Sequence, residues 1–353
     1  MKMKAAVLHA PMDLRVEMID IPDVGPDDML LKVIACGICG SDVHSYKVGA
    51  YVQPGQVMGH EFVARVEKIG DNVKGKGIEI GDRVMAGSVD FCMQCYWCQR
   101  QMFVFCPNLY KSTLGFGKQG AFAEFVKIPN ALPGIMVNKL PDGLTDYECA
   151  IIEPTGVAAY TVDKSEPKPG DKVVILGAGL IGMAALQFYK NTTEVEKVVV
   201  SEISQMRLEA CKKLGADAVI DAKTENVLER CKEEVGIGPY HFNEGAMADI
   251  VVEAAGVPST IWDSFEIVRS AGTIAVVGLP EQPALIDTTK FVHKQPTLIP
   301  VHGGNGAKAI EGLLAKQIDA DAMISHVFKL EDAVEAFNTQ ADSSKSLKVL
   351  ITP

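Results

Sequence analysis

The chain has 353 residues, 48% of them hydrophobic and 22% charged, a composition that excludes disordered and fibrous architectures and leaves room for two folded domains. A net charge of −11 opposes long-range attraction to nucleic acid and to anionic lipid surfaces, so neither is expected as a partner. The notable apolar stretch Val173 to Tyr189 is interrupted by Gly177, Gly179 and Gly182 and reads poorly as a membrane span.

At the N-terminus, Met1-Lys2-Met3-Lys4 precedes only a short apolar run before Pro11 and Asp13, too short for a signal-peptide core. Nine cysteines without an export signal fit a reducing cytoplasm, and their odd number argues against a complete disulfide framework. Up to about residue 150 the texture is β-rich, with short runs such as Leu30 to Ala35, Phe62 to Ile69 and Phe122 to Lys127 separated by glycine and proline. The turn-rich connector Pro167-Lys168-Pro169-Gly170-Asp171 announces a change. Beyond it, apolar β-branched runs at Lys172 to Leu176, Lys197 to Val200, Asp249 to Glu253 and Thr273 to Val277 alternate with helical stretches, the pattern of a parallel sheet covered on both faces. Helical stretches at Ala307 to Ala315 and Glu331 to Phe337 and a last strand, Lys348 to Ile351, complete the chain.

Four cysteines, Cys92, Cys95, Cys98 and Cys106, follow one another with two, two and seven residues between them. Their thiolates can close a tetrahedral shell around zinc, and such a shell leaves no open position for substrate. The cluster therefore predicts a structural metal; the competing reading is four free thiols in a reducing cell.

Strand Lys172 to Leu176 runs directly into Gly177-Ala178-Gly179-Leu180-Ile181-Gly182, and a helix follows through Lys190. In a dinucleotide turn the first glycine permits the bend, the second lets a pyrophosphate approach the backbone, and the third allows close packing of helix and strand. Glu202 ends the next strand, 20 residues after Gly182, where a carboxylate can accept hydrogen bonds from the adenosine ribose. A carboxylate there repels a 2′-phosphate, so NAD is favoured over NADP. Arg207 keeps NADP open as an alternative and is expected on the outer face of the following helix.

Upstream, Cys36-Gly37-Ile38-Cys39-Gly40-Ser41-Asp42-Val43-His44 and Gly59-His60-Glu61 offer thiol, imidazole and carboxylate groups. Singly, each has an ordinary reading; Ser41-Asp42, for instance, could cap a helix. Together with Gly81-Asp82-Arg83-Val84, the four-cysteine loop, Glu153-Pro154 and the glycine turn, they appear in an order that resembles the zinc-dependent medium-chain alcohol dehydrogenases, closest to their polyol (sorbitol-type) and threonine branches. The resemblance covers essentially the whole chain. It implies an α/β protein: a β-rich GroES-like catalytic domain over residues 1–154 and 299–353, and a Rossmann doubly wound parallel-sheet domain over 155–298.

The same resemblance implies site roles. Cys39 and His60 match the two invariant catalytic-zinc ligands. Glu153 matches a glutamate that binds the metal directly or through its water, with Cys149 as a local rival four residues away. Glu61 matches a carboxylate that serves as ligand or exchanges with water. Ser41 matches the hydroxyl that meets the substrate oxygen and begins a proton relay ending at His44, and Asp42 matches a carboxylate that orients His60. Lys348 falls where relatives place a basic residue towards the pyrophosphate. Tyr160 departs from the histidine or small residue common in relatives, and Lys47, Tyr51, Phe116 and Tyr160 are candidates for the pocket wall.

The expectation is an enzyme with two zinc ions per chain, one catalytic and one structural, that oxidises a secondary alcohol of polyol or diol type to a ketone with NAD. Threonine-type hydroxy-amino acid oxidation is the alternative substrate reading, and a catalytically silent zinc- and nucleotide-binding protein is the alternative class. The partners expected are a small-molecule alcohol or ketone and further copies of the chain in a dimer or tetramer, in the cytoplasm.

Overall fold

The computed structural model describes residues 1–87 and 91–353. The chain divides into two compact units, Met1–Glu153 with Ile324–Pro353, and Pro154–Met323.

The first unit is built on a seven-stranded sheet. Its path runs Ile324–Lys329, Lys348–Thr352, Met29–Gly37, Glu61–Ile69, Arg83–Ala86 and Val137–Lys139, with Phe125–Ile128 pairing beside Met29–Gly37. A three-stranded sheet of Asp13–Asp20, Lys2–Ala10 and Gln56–Val57 joins it around one core that includes Met29, Leu31, Phe62, Phe122 and Phe337. The central strand Met29–Gly37 is almost wholly buried, which is why it reads as a continuous apolar run rather than an alternating one. Its end is placed by two neighbours: Gly37 pairs with Glu61 on one side and with Leu350 on the other. That register brings Ile38, Cys39, Glu61 and Lys348 to one corner of the sheet.

The second unit is a six-stranded, fully parallel sheet in the order Ala218–Asp221, Lys197–Glu202, Lys172–Leu176, Ala248–Glu253, Val268–Val276, Thr297–Pro300. Strands Lys172–Leu176 and Lys197–Glu202 are buried beyond their first residue, as expected for strands with helices on both faces. Neighbouring strands Lys172–Leu176 and Ala248–Glu253 are far apart in sequence, so the strand order reverses between them. In open parallel sheets such a reversal is where ligands bind, outside the carboxyl ends of the strands.

Residues 299–323, expected with the first unit, pack in the second. Strand Thr297–Pro300 extends the parallel sheet beside Val268–Val276, and Asn305 N–H, at the start of helix Gly306–Leu314, donates to Gly156 O at 2.8 Å. Hydrogen bonding and burial hold the segment there, and the sequence pattern carries no mark of it. No helix among the described residues is long and apolar enough to cross a membrane.

Candidate active site

Cys39 stands in extended backbone immediately before helix Gly40–Val48. Asp42 Oδ2 accepts a hydrogen bond from the Cys39 backbone N–H at 2.9 Å, a capping contact that fixes the direction in which the thiol leaves the chain. Gly59 has φ of 98°, and a Cβ there would lie 2.8 Å from Cys36 Sγ and 3.0 Å from the Phe122 ring. Only glycine permits both the turn and that approach, which deliver His60 and Glu61 to the start of strand Glu61–Ile69.

The ligand atoms of Cys39, His60 and Glu61 lie within 4.8 Å of one another. His60 is 7% exposed and Glu61 is 1% exposed. Asp42 Oδ1 lies 3.7 Å from His60 Nδ1, and neither atom has a hydrogen-bond partner among the described residues. Burial works to lower the His60 pKa, but Asp42, Cys39 and Glu153 outweigh it and hold the imidazole well above its ordinary value. Thiol, imidazole and carboxylate groups crowded in a buried corner, with polar atoms unsatisfied, are a donor set that fits a divalent cation such as zinc.

Glu153 opens the helix Ile152–Ser165 and is not one of the three residues in that close cluster. Burial, with Glu61 and Asp42 adding to it, pushes its carboxyl up to about 7 against the pull of His60 and Lys348. Its electrostatic interaction with His60 places it near the cluster. Cys149, the rival, is buried in the short helix Asp146–Ala150 and outside the cluster, its thiol pushed up to about 11 by burial.

Lys348 is 4% exposed, and its ammonium pairs with Glu61 Oε2 and donates to Ile38 O at 2.8 Å, so it is turned into the metal corner. The register of the last strand against Gly37 puts it there. A Cβ at Gly37 would lie 2.6 Å from Glu61 Oε2 and 2.8 Å from Lys348 Cε, so the glycine makes room for the pair.

Ser41 and His44 lie three positions apart on helix Gly40–Val48 and therefore share a face. From His44 a row of rings leads to the cluster: His44 to Tyr51 at 5.6 Å, Tyr51 to Phe116 at 6.3 Å, and Phe116 to His60 at 5.1 Å between centroids. Tyr51 holds φ of 66°, a left-handed conformation uncommon for a bulky residue, and is 59% exposed. Tyr51 and Phe116 thus form an aromatic wall between His44 and His60. Lys47 is exposed, and Tyr160 belongs to the second unit, where the Lys164 ammonium lies 5.4 Å from its ring centre.

The thiols of Cys92, Cys95, Cys98 and Cys106 lie within 4.8 Å of one another. Backbone N–H groups point at the sulfurs: Cys98 N donates to Cys95 Sγ at 3.4 Å and Cys92 N to Cys106 Sγ at 3.5 Å. The Gln94 backbone N–H, ahead of other donors, draws the Cys92 thiol down to about 6, whereas burial pushes Cys98 up to about 12. Four sulfurs held this close, with backbone N–H groups aimed at them, are what a tetrahedral zinc shell requires.

In the second unit the glycine turn has the geometry its sequence implies. Gly177 has φ of 96°, and a Cβ at Gly182 would lie 2.1 Å from Gly177 O, whereas a Cβ at Gly179 would meet nothing within 4 Å. The second glycine thus faces open space at the start of helix Leu180–Thr192, whose first two residues are Leu180 and Ile181. That space beside unpaired helix N–H groups fits a pyrophosphate.

Glu202 is 6% exposed; Oε2 accepts from Ala178 N at 2.8 Å, and Oε1 from Ile203 N at 2.7 Å and Ser204 N at 3.0 Å. The carboxylate thus braces the glycine turn as well as ending its strand. Arg207 is not on the outer face of its helix. Its side chain is 15% exposed and lies 3.8 Å from Glu202 Oε2, and burial lowers the pKa of its guanidinium.

A metal-binding corner in a β-rich unit and a dinucleotide turn at the reversal point of a parallel sheet define a nicotinamide-dependent, metal-containing dehydrogenase. Residues 25–142 match the alcohol dehydrogenase GroES-like domain family, and residues 181–319 match the zinc-binding dehydrogenase family. The chain is 32% identical over 339 residues to the L-threonine 3-dehydrogenase of Alteromonas mediterranea, across 94% of this chain and 93% of that one. It is 29% identical over 362 residues to the sorbitol dehydrogenase of Bacillus subtilis strain 168, across 99% and 97%. A zinc-binding dehydrogenase structure from Sinorhizobium meliloti 1021, solved bound to NADP, superposes with a TM-score of 0.88 at 28% identity over the whole of both chains. The chain belongs to the zinc-dependent medium-chain alcohol dehydrogenase superfamily, in its polyol and threonine dehydrogenase branch.

Proposed function

We propose that this enzyme reversibly oxidises a secondary hydroxyl of a polyol or diol to a ketone, with NAD preferred over NADP as hydride acceptor. The observation that carries the reading is the convergence of Cys39, His60 and Glu61 in one buried corner, next to a helix that presents Ser41 and His44 on one face. When bound, zinc would supply Lewis-acid stabilisation of a deprotonated hydroxyl, and the dinucleotide the hydride acceptor.

The residues divide the remaining work. Cys39 and His60 hold the metal; Glu61 and Glu153 are carboxylates that complete its coordination directly or through water. Asp42 fixes the orientation of His60. Ser41 takes the proton of the substrate hydroxyl, and His44 passes it towards solvent. Tyr51 and Phe116 supply an apolar wall for the carbon skeleton. Cys92, Cys95, Cys98 and Cys106 hold a second, structural zinc. Gly177, Gly179, Leu180, Ile181 and Gly182 receive the pyrophosphate, and Glu202 accepts from the adenosine ribose. Arg207, paired to Glu202, keeps some use of NADP possible. A cytoplasmic setting and assembly as a dimer or tetramer are part of the proposal.

A second reading, oxidation of a 3-hydroxy-amino acid, is favoured by the similarity to L-threonine 3-dehydrogenases. A panel of polyols, diols, sugar phosphates and L-threonine with NAD or NADP, followed by absorbance of the reduced cofactor, separates the two. Turnover of polyols with higher kcat/KM for NAD supports the proposal. Turnover confined to threonine replaces the substrate assignment, and no turnover with any secondary alcohol rejects it.

A further inference from the structure

Glu253 ends strand Ala248–Glu253, directly beside the strand that leads into the glycine turn. It is fully buried. Its Oε1 accepts three hydrogen bonds, from Ala255 N at 3.0 Å, Gly256 N at 2.8 Å and Thr260 Oγ1 at 2.7 Å. Its Oε2 has no hydrogen-bond partner among the described residues. An ionised or neutral carboxyl in such a place is costly to desolvate, and one oxygen left without a donor makes it more so.

Three glycines surround this carboxylate where three strands end. A Cβ at Gly177 would lie 2.6 Å from Ala255 N. A Cβ at Gly278 would lie 2.4 Å from Gly256 N and 2.5 Å from Glu253 Oε2, and a Cβ at Gly256 would lie 3.1 Å from Leu279 N. The Glu253 carbonyl accepts from Val277 N at 2.9 Å and Gly278 N at 3.0 Å, while Ala254 N donates to Leu176 O at 2.8 Å. The turns leaving Leu176, Glu253 and Val276 are therefore stacked backbone against backbone, with Glu253 as the side chain that ties them.

The position of that stack assigns it a ligand half. Two mononucleotide-binding halves flank the reversal point of such a sheet, and the dinucleotide lies across it. Glu202 sits on the Lys197–Glu202 side, which takes the adenosine half. Ala255, Gly256 and Gly278 sit on the other side, which takes the nicotinamide half.

We propose that Glu253 is a positioning residue for the nicotinamide half of the cofactor, holding the Ala254–Gly256 and Val277–Gly278 backbone in register with the glycine turn. The inference rests on the dehydrogenase reading above and concerns a residue that reading does not use. The carboxylate touches no cofactor atom itself, because it is enclosed by the backbone it organises.

The test compares NADH, which has both halves, with AMP, which has only the adenosine half, in direct binding to the full-length protein. Glu253→Ala weakens NADH at least tenfold and leaves AMP within twofold. Glu253→Gln, which keeps an acceptor oxygen for the three donors, recovers most of the NADH affinity. Thr260→Val removes a single donor and weakens NADH by a smaller factor, which keeps the question answerable if Glu253→Ala does not fold. Unchanged NADH binding in Glu253→Ala, or in Thr260→Val should that be the only folded variant, overturns the proposal. So does an equal loss for AMP and NADH. If the wild-type protein binds neither ligand, the dehydrogenase reading itself fails, and this inference with it.

Discussion

Replacing Lys348 by methionine tests the metal corner through its stability. Lys348 is 4% exposed and Glu61 1%, so removing the ammonium leaves a carboxylate enclosed without its counter-ion and Ile38 O without its donor. Breaking a buried pair from one side costs about 3–5 kcal/mol. With Tm moving roughly 2–4 °C per kcal/mol in a unit of this size, the expected fall is on the order of 10 °C. Calorimetry of chelated protein is the assay, because bound metal would offer Glu61 another partner. The double variant Glu61→Gln with Lys348→Met removes the stranded charge and should recover more than half of the loss. Burial opposes the Lys348 charge, but Glu61 and Cys39 outweigh it and raise its pKa. The stabilisation is therefore complete below the unfolded lysine value of about 10.4 and is lost only as pH rises through the raised folded value. Because Lys348 also pulls down the Glu153 carboxyl, which lies near 7, the gap between wild type and Lys348→Met should be wider at pH 8, where that carboxylate is ionised, than at pH 6. A fall of less than about 1 kcal/mol in Lys348→Met would refute the reasoning, because it would mean that Glu61 relaxes freely to water.

Gly179→Ala should leave Tm unchanged or slightly raised, since its φ of −67° suits alanine and the new Cβ meets nothing, yet weaken NADH binding at least tenfold by filling the space for the pyrophosphate. Isothermal titration and calorimetry on the same variant check both halves. After chelation, iodoacetamide at pH 7 should label Cys92 first, because its thiol lies near 6, while Cys211 and Cys231, each pushed up to about 12 by burial, stay protected until unfolding. Peptide mass spectrometry reads the order, and zinc-loaded protein should protect Cys92. Cys98→Ser should lower stability more than it slows the chemical step; a purely kinetic defect would contradict the structural role.

Much of this site was legible because its chemistry depends on local sequence. The four cysteines fall within one loop, Gly177 to Gly182 form one turn, and Cys39 and Asp42 are joined by a single helix cap, so spacing alone brings their atoms together. Residues brought in from afar were harder to read. Lys348 reaches Glu61 only through the strand register that sets Leu350 beside Gly37, and the sequence offers no sign of it. The direction of Arg207 depended on its burial against Glu202, and the membership of residues 299–323 on a sheet edge and a backbone hydrogen bond to Gly156. Glu253 carried a weak signal, an acidic residue closing an apolar strand before Ala-Ala-Gly, much as Glu202 closes its own. Its role becomes visible only when Gly177, Gly256 and Gly278 are seen stacked together.

The central claim is that Cys39, His60 and Glu61 hold a catalytic zinc distinct from the zinc of the four-cysteine loop. Zinc content by mass spectrometry of wild type and Cys39→Ser, with NADH binding measured on the same samples, tests it most directly. The account predicts about two zinc ions per chain in wild type and about one in Cys39→Ser, with turnover abolished and NADH still bound. Equal zinc in the two proteins with turnover retained would contradict it.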